Sequence, residues 1–451
     1  MGSFLDRLLD LEKAPLARAY TAEQYDLQRF RTFVDSLGHP DRDLLFIHIA
    51  GTKGKGSTGA FCEGLLRGLG YPTAFFSSPH LGHYGERFRF DGVPWTFDEF
   101  EAALERFWER LGPEQRRGFE GPQPWRTVFE TLTALALVEF QTRRQMLRAQ
   151  GIRRPLVVCW ETGLGGRLDC TNIVTPAVSV ITLLAMDHMK VLGDTIELIA
   201  GEKAGIIKQG RPVVVTRQSE RFHDRVWPVL VGRAAEVGAP LIRAWEHNPV
   251  EWQGTNDVRG TLPDGTPWEG ISPLAGAFQR GNLEGSLAAV YEVHRLHGSG
   301  PFHAVGLSHV HWPGRLERLP HGERTLVLDG AHCPASALAV GRTLRDDLPA
   351  GSLTVLWGMQ RDKDAAGFAA ALAESLRSAI AELRCYPVGG PRGADAESLV
   401  VAAQSAGLPA RPCSSAEDAL AGASTPTILC VGTLYTLDRF RTLWSTLPHH
   451  A

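Results

Sequence analysis

A chain of 451 residues exceeds one ordinary hydrophobic core, which points to a large domain and a smaller one. Hydrophobic residues at 43% and charged residues at 22% fit a globular protein and exclude long disorder. With 47 Lys and Arg against 50 Asp and Glu, a formal net charge of -3 gives no global attraction to nucleic acid or to an anionic membrane, so small-molecule partners are expected.

The opening "MGSFLDRLLDLEK" is amphipathic and acidic where an export signal is basic and then apolar, and no apolar run reaches about 18 residues, so neither export nor membrane insertion is expected. The runs "LLFIHIA" (44–50), "PTAFFSS" (72–78), "PLVVCWE" (155–161), "AVSVITLL" (177–184) and "RPVVVT" (211–216) are short and rich in β-branched residues, and read as buried strands. Helical periods at 56–69, 127–149 and 195–208 lie between several of them, the alternation of a doubly wound α/β sheet with mostly parallel strands. Residues 247–271 carry Gly, Pro, Asp and Trp at close spacing and predict hairpins or an irregular loop. After a helix over 279–296, "HGSGPFHAVGLSHVHWPGR" loses its period and predicts a linker, so we place the boundary near residue 300, between domains 1–300 and 301–451. Beyond it the pattern restarts, with strands at 325–329, 353–357, 383–388 and 427–431 and helices at 334–346, 363–378, 395–406 and 434–445. That pattern predicts a second, smaller α/β domain. Seven cysteines form no CxxC pair and several lie in apolar runs, so they read as reduced thiols of a cytoplasmic protein.

Three stretches carry chemistry. "GTKGKGS" (51–57) follows a strand and opens a helix, which lets backbone N–H groups face phosphate oxygens, with Lys55 as the cation and Ser57 as a hydroxyl for Mg2+. Two lysines in one tight turn repel each other, and an anion relieves that. Gly56 intervenes between Lys55 and Ser57, so the spacing departs by one residue from the common GxxxxGK[ST] loop, and a ligand-free glycine turn is the competing reading. "ETGLGGRLDCTN" (161–172) follows a strand on the same sheet, placing Glu161 where a metal ligand belongs, although a lone strand-end glutamate is also a common cap. Its glycines Gly163, Gly165 and Gly166 permit close approach, and Asp169 and Asn172 are placed to position polar parts of a ligand. In "LLAMDHMKVLGDTIELIAGEKAGIIKQG" (183–210), Asp187, His188, Glu202 and Lys203 gather near the same strand ends.

Together with "SSPHL" (77–81), "TVFETLTALAL" (127–137), "LAGAFQRGNLEGSLAA" (274–289), "HWPGRLERL" (311–319), "LDGAHCPASA" (328–337), "WGMQRDKD" (357–364) and "VGTLYTLDRFR" (431–441), this ordered set resembles the folylpolyglutamate synthase and dihydrofolate synthase family of the Mur ligase superfamily. The resemblance implies an N-terminal P-loop, Mur ligase-like ATPase domain and a smaller C-terminal Rossmann-like α/β domain. It implies that Gly51, Thr52, Lys53, Gly54, Lys55, Gly56, Ser57 and Thr58 hold the β- and γ-phosphates of ATP, with Asn282 as a further ATP contact and Gln279 nearby. Ser57 and Glu161 would ligate one Mg2+; Glu161, His188 and Lys203, carbamylated to an anion, would ligate a second. A free ammonium there would repel the metal. From the C-terminal half, Arg315 would reach the nucleotide phosphates, Asp329 the ribose or adenine side, and His332 the reacting end, while Arg315 as a surface cation and His332 as a helix cap are the plainer readings. Family members usually carry Asn where this chain has Cys333, so no role passes to that position. For folate the resemblance points to Ser78, Pro79, His80 and Tyr84 near a pteridine and to Arg87 for a carboxylate.

The reaction so implied is ATP-dependent addition of L-glutamate to folates, and to dihydropteroate, through an acyl phosphate, with Lys55, Lys203, His188 and His332 at the chemistry. A peptidoglycan-type Mur ligase and a non-catalytic nucleotide-binding protein of the same fold are the alternatives; the folate-branch motifs oppose the first and intact Lys55, Glu161, His188 and Lys203 the second. A monomer is expected. Substrate preference, glutamate chain length and a K+ requirement are left open by these residues.

Overall fold

In a computed structural model of the protein, which describes residues 4–8, 10, 26–120, 126–303 and 306–447, the apolar runs become the middle of an eight-stranded sheet. Its strands are β1 (Leu45–Ala50), β2 (Thr73–Phe76), β3 (Phe88–Phe90), β4 (Val93–Pro94), β5 (Val157–Glu161), β6 (Val178–Ile181), β7 (Val213–Val215) and β8 (Leu241–Arg243), in the order β4-β3-β2-β5-β1-β6-β7-β8. The six strands from β2 to β8 in that order run parallel, and β3 and β4 continue the sheet antiparallel. β1 and β5 lie side by side at the centre, in register Ile49 to Glu161, so both chemistry-bearing loops leave the same sheet edge.

Helices cover both faces, as parallel strands with two apolar faces require. Leu27–Ser36, Phe97–Arg110 and Val128–Ala149 bury Phe33, Phe100 and Leu135 in one core with Phe46, Phe76 and Trp160 of the sheet. Ile196–Ala204 and His223–Glu236 cover Ile181, Val213 and Val215 in another. Their starts are set locally: Thr96 with Glu99 and Thr127 with Glu130 form capping boxes, and Thr195 accepts the Leu198 N–H. Residues 247–271 form a small sheet of β9 (Val250–Gln253), β10 (Asp257–Thr261) and β11 (Pro267–Ile271).

The described chain divides into two units. The first runs to Glu251 and adds Val258–Pro273 and Gln279–His311; the second holds Trp252–Asp257, Leu274–Phe278 and everything from Trp312. The division thus differs from a single cut near residue 300. Leu307 and Val310 are buried, a Cβ on Gly306 would meet Gly64 O at 2.2 Å, and Arg89 Nη1 donates to His311 O at 2.9 Å, which ties the end of the predicted linker to the Lys55–Gly68 helix and to β3. Residues 304 and 305 of that linker lie outside the described residues.

The second unit has its own six-stranded sheet: β12 (Glu317–His321), β13 (Arg324–Leu328), β14 (Leu353–Trp357), β15 (Ile380–Cys385), β16 (Ala410–Pro412) and β17 (Thr427–Val431), ordered β12-β13-β17-β14-β15-β16. All neighbours are parallel except the β12–β13 pair. Ala275 is part of its core with Val327, Val355 and Leu372, which is why 274–278 groups here.

Candidate active site

Where β1 ends, the chain turns through Gly51–Gly54 into the Lys55–Gly68 helix. Two of these glycines are required by space: a Cβ on Gly51 would meet Thr182 Oγ1 at 1.7 Å, and one on Gly54, at φ 92°, would meet Asn282 Oδ1 at 2.2 Å. Backbone N–H groups of Thr52 and Lys53 donate to Leu183 O at 3.0 and 3.1 Å. Thr52 Oγ1 accepts from Ala185 N at 3.1 Å and donates to Ala185 O at 3.2 Å, and Lys53 Nζ lies 3.4 Å from Asp187 Oδ2. The loop is thereby stitched to the stretch that follows β6. No side chain caps the helix that starts at Lys55, so its first N–H groups point into the loop's concavity, an anion-binding arrangement. Ser57 is buried beside them, and Thr58 Oγ1 donates to Asn282 Oδ1 at 3.4 Å. Asn282, whose amide donates to Gln279 Oε1 at 2.7 Å, therefore braces the loop from behind.

Glu161 closes β5 and is buried. Its Oε1 lies 3.8 Å from Lys55 Nζ, and its Oε2 accepts the Ser78 N–H at 3.3 Å. The glycine turn after it is built by Asp169, which accepts Leu164 N–H at 2.8 Å, and by the Asn172 amide, which donates to Arg167 O at 3.0 Å and Gly205 O at 3.2 Å. Asp169 and Asn172, expected to address a ligand, serve here to shape the loop.

His188, at φ 51°, stands half-exposed with Nε2 3.9 Å from Asp187 Oδ1. Lys203, on the Ile196–Ala204 helix, is 4% exposed. Burial, reinforced by the Lys55 ammonium and opposed by Asp187, Asp169 and Glu202, brings its pKa down to about 7. Gly51, Thr52, Lys55, Asp187, His188 and Lys203 line one pocket with the turn at Gly163–Leu164, so three separate stretches of sequence meet there. Among the described residues no three His, Cys, Asp or Glu side chains gather as a metal site. Ser57, Glu161 and His188 carry oxygen and nitrogen donors of the kinds divalent cations take, whereas a protonated Lys203 beside them would repel one.

The 77–92 loop is packed upon itself. The Glu86 carboxylate accepts Leu81 and Gly82 N–H at 2.8 and 3.0 Å, His80 meets Tyr84 edge to face at 4.6 Å, and Tyr84 stacks on Phe100 while its hydroxyl donates to Asp10 at 3.1 Å. Ser78 is partly buried and Pro79 is exposed. Arg87 is only 1% exposed, donates from Nε to His80 Nδ1 at 3.0 Å and lies 5.4 Å from the Tyr84 ring centroid, so its guanidinium orients the two rings.

In the second unit, Asp329 follows β13 and is buried, its two oxygens accepting Leu316 N–H at 2.9 Å and Ala331 N–H at 2.8 Å. Burial pushes its pKa up against Arg315 and these two donors. It holds the Arg315–Leu316 turn in shape, a task the sequence did not reveal. Arg315 Nη1 donates to Gly314 O at 2.9 Å and His332 Nδ1 to Gly330 O at 2.8 Å. Cys333 has no cap of its own to offer the Pro334–Leu344 helix; Ser336 Oγ accepts the His332 and Cys333 N–H groups, both at 3.1 Å, and takes over that work.

Residues 314–429 match the family described as Mur ligase, glutamate ligase domain. The dihydrofolate synthase/folylpolyglutamate synthase of Bacillus subtilis (strain 168) is 31% identical over 352 residues, 75% of this chain and 76% of that protein. Mycobacterium tuberculosis folylpolyglutamate synthase complexed with ADP superposes with a TM-score of 0.79 at 29% identity, covering 94% of this chain and 95% of that one. A bifunctional folylpolyglutamate synthase/dihydrofolate synthase with Mn, AMPPNP and L-glutamate bound gives a TM-score of 0.73 at 28% identity, covering 93% and 94%. With a curated relative 31% identical over three quarters of its length and a solved structure superposing on 94% of it, the chain belongs to the folylpolyglutamate synthase/dihydrofolate synthase family.

Proposed function

We propose that this ATP-dependent ligase joins L-glutamate to folates and also to dihydropteroate, with Lys55, Glu161, His188 and Lys203 at the reacting end of ATP. The observation that carries the reading is the meeting of the uncapped helix start, Lys55 and Lys203 in one pocket. A terminal phosphoryl group seated on the 51–58 loop places its charge beside the Lys55 ammonium and the first helical N–H groups, which stabilise the charge on the departing ADP. A carboxylate oxygen of the folate substrate bonds to the γ-phosphorus as the bond to ADP breaks, giving an acyl phosphate. The glutamate amine then bonds to the acyl carbon, and the tetrahedral adduct expels phosphate and loses a proton to form the amide. Two Mg2+ ions, held by Ser57 and Glu161 and by Glu161, His188 and carbamylated Lys203, would neutralise phosphate charge when bound. K+ is a further candidate cation.

Ser78 lies against Glu161, so the 77–92 loop borders the same end of the sheet, and we place the pteridine near Ser78, Pro79, His80 and Tyr84 with Arg87 holding the two rings. Arg315 and His332 are proposed to serve the same reaction from the second unit, and Asp329 to hold Arg315 in place. We read the protein as a cytoplasmic monomer; all seven cysteines are unpaired, and among the described residues no helix is long and apolar enough to cross a membrane. Purified protein given ATP, L-glutamate and either dihydropteroate or tetrahydrofolate should release ADP only with both co-substrates and yield the glutamylated product from each. Turnover of one acceptor alone would remove the bifunctional reading, and turnover of neither would remove the function.

A further inference from the structure

β1 carries a histidine into the interior of the first unit. His48 is fully buried, and its Nε2 lies 3.1 Å from Thr171 Oγ1. The Thr171 hydroxyl donates its one hydrogen to Asp169 Oδ1. A hydroxyl committed in this way meets the ring as an acceptor, so the imidazole carries its hydrogen on Nε2. Nδ1 is buried with no hydrogen-bond partner, which fits a bare nitrogen and not a second N–H. Burial, with a smaller contribution from Lys208, holds the ring pKa down to about 3, so it stays neutral.

The polarity of this chain decides what reaches the site. Because His48 donates to Thr171, Thr171 is left to donate to Asp169, and Asp169 keeps its other oxygen for the Leu164 N–H at 2.8 Å. Thr171 itself is fixed by its own N–H to Asp169 at 3.0 Å and by the Trp160 indole, which donates to its carbonyl at 3.0 Å. The far end of the chain is the Gly163–Leu164 turn, which lines the pocket with Lys55 and Lys203. The near end is β1, which runs two residues further into Gly51. One strand thus supports both walls of the pocket: its end feeds the phosphate loop and its middle holds the glycine turn. An apolar residue at position 48 would leave the hydroxyl's orientation to chance.

We propose that His48 is a positioning residue for the ligase reaction: as a neutral, Nε2-protonated imidazole it acts through Thr171 and Asp169 to fix the Gly163–Leu164 turn against Lys55 and Lys203. The inference rests on the reading of that pocket as the site of ligation. Glutamine carries an N–H donor at a reach similar to Nε2, whereas leucine fills the space without donating. In the full-length protein, His48→Leu should lower kcat at least about ten-fold with the KM for ATP changed less than about two-fold, and His48→Gln should recover most of it at an equal melting temperature. Thr171→Ser and Thr171→Val repeat the comparison one step along the chain, and should His48→Leu not fold, that pair carries the test: serine retained, valine impaired. 15N spectra of histidine-labelled wild type should show a neutral ring protonated on Nε2 that does not titrate near the ordinary value of about 6.5. Equal kcat in His48→Leu and wild type, equal losses in the leucine and glutamine variants, equal activity in Thr171→Val and Thr171→Ser, or a ring protonated on Nδ1 would each overturn the inference. A wild-type chain that ligates neither acceptor while its ring keeps the Nε2 hydrogen would overturn only the reading of the pocket.

Discussion

Lys55 holds a position in which charge matters more than packing. Its ammonium is 3.8 Å from the buried Glu161 carboxylate, and the helix it starts has no side-chain cap. Lys55→Ala should therefore cost on the order of 10²-fold or more in kcat while the core stays intact, and steady-state ADP release together with a thermal melt measures both. Near-normal turnover in a folded variant would remove the loop from the chemistry. Lys203 makes a second prediction. Its pKa falls from 10.5 to about 7, so the amine is protonated below that pH and neutral above it. Between about pH 7 and 10.5 the unfolded chain binds the extra proton, so this group makes stability rise with pH across that window. The neutral amine also adds CO2, so bicarbonate should raise activity at pH 8 and do little at pH 6, and 13C-bicarbonate should give a carbamate signal that Lys203→Arg lacks. A bicarbonate-independent enzyme without that signal would exclude the carbamate. At this scale the sequence is informative where chemistry demands a residue type. Lys55, Glu161 and Lys203 are picked out by their place at strand and helix ends, although a strand-end glutamate also serves as a cap and a lysine in a last helical turn also suits the helix dipole. Arg87, Asp169 and Asp329 each bind backbone or a neighbouring ring, and a buried polar group engaged in that way looks, in sequence, like one that awaits a ligand.

Whole strands are legible to the extent that the sheet buries them on both faces. β1, β2, β5, β6 and β7 are continuous apolar runs because parallel neighbours and helices cover them, and they coincide with the predicted strands to within a few residues. β3, β4, β8, β12 and β16 do not announce themselves. They are short or lie at or near sheet edges, and β4, β8, β12 and β16 leave residues exposed, so none forms a long apolar run. His48 is the one polar side chain in the "FIHIA" run of β1, and a histidine at a position that must be buried is a signal that the apolar pattern alone passes over. It carries a consequence for stability. A ring with a pKa of about 3 when folded and about 6.5 when unfolded makes the unfolded chain bind more protons below pH 6.5. Stability falls as pH drops from about 6.5 towards 3, by several kcal/mol in order of magnitude over the full range. His48→Gln has no such proton to take up, so denaturant midpoints measured from pH 7 to 4.5 should decline less steeply in the variant. Parallel declines would mean that the ring is reached by solvent or titrates near its ordinary value.

The molecule as a whole is two α/β units with separate sheets and separate cores, and the change of period near residue 300 is visible in sequence because the second sheet restarts the strand-helix alternation. The finer division is not visible. The segments 252–257 and 274–278 group with the second unit through side chains such as Ala275, and 306–311 with the first through buried Leu307 and Val310, contacts that no local period encodes. Whether the second unit takes part in the reaction is decided by separating shape from chemistry within it. Asp329 is a shape residue: removing its carboxylate leaves the buried Leu316 and Ala331 N–H groups without acceptors, each costing about 1–3 kcal/mol. Asp329→Ala should then lower the melting transition by several degrees and reduce turnover through the loss of the Arg315 turn. His332 is only partly buried, and its ring donates to Gly330 O at 2.8 Å. His332→Ala should leave the melt within about 2 °C of wild type while lowering kcat at least about ten-fold, the loss expected of a group that works at the reacting end. If His332→Ala turns over normally and Asp329→Ala loses activity only in proportion to unfolded protein, the second unit supplies neither residue to the chemistry, and the ligase site would have to be drawn from the first unit alone.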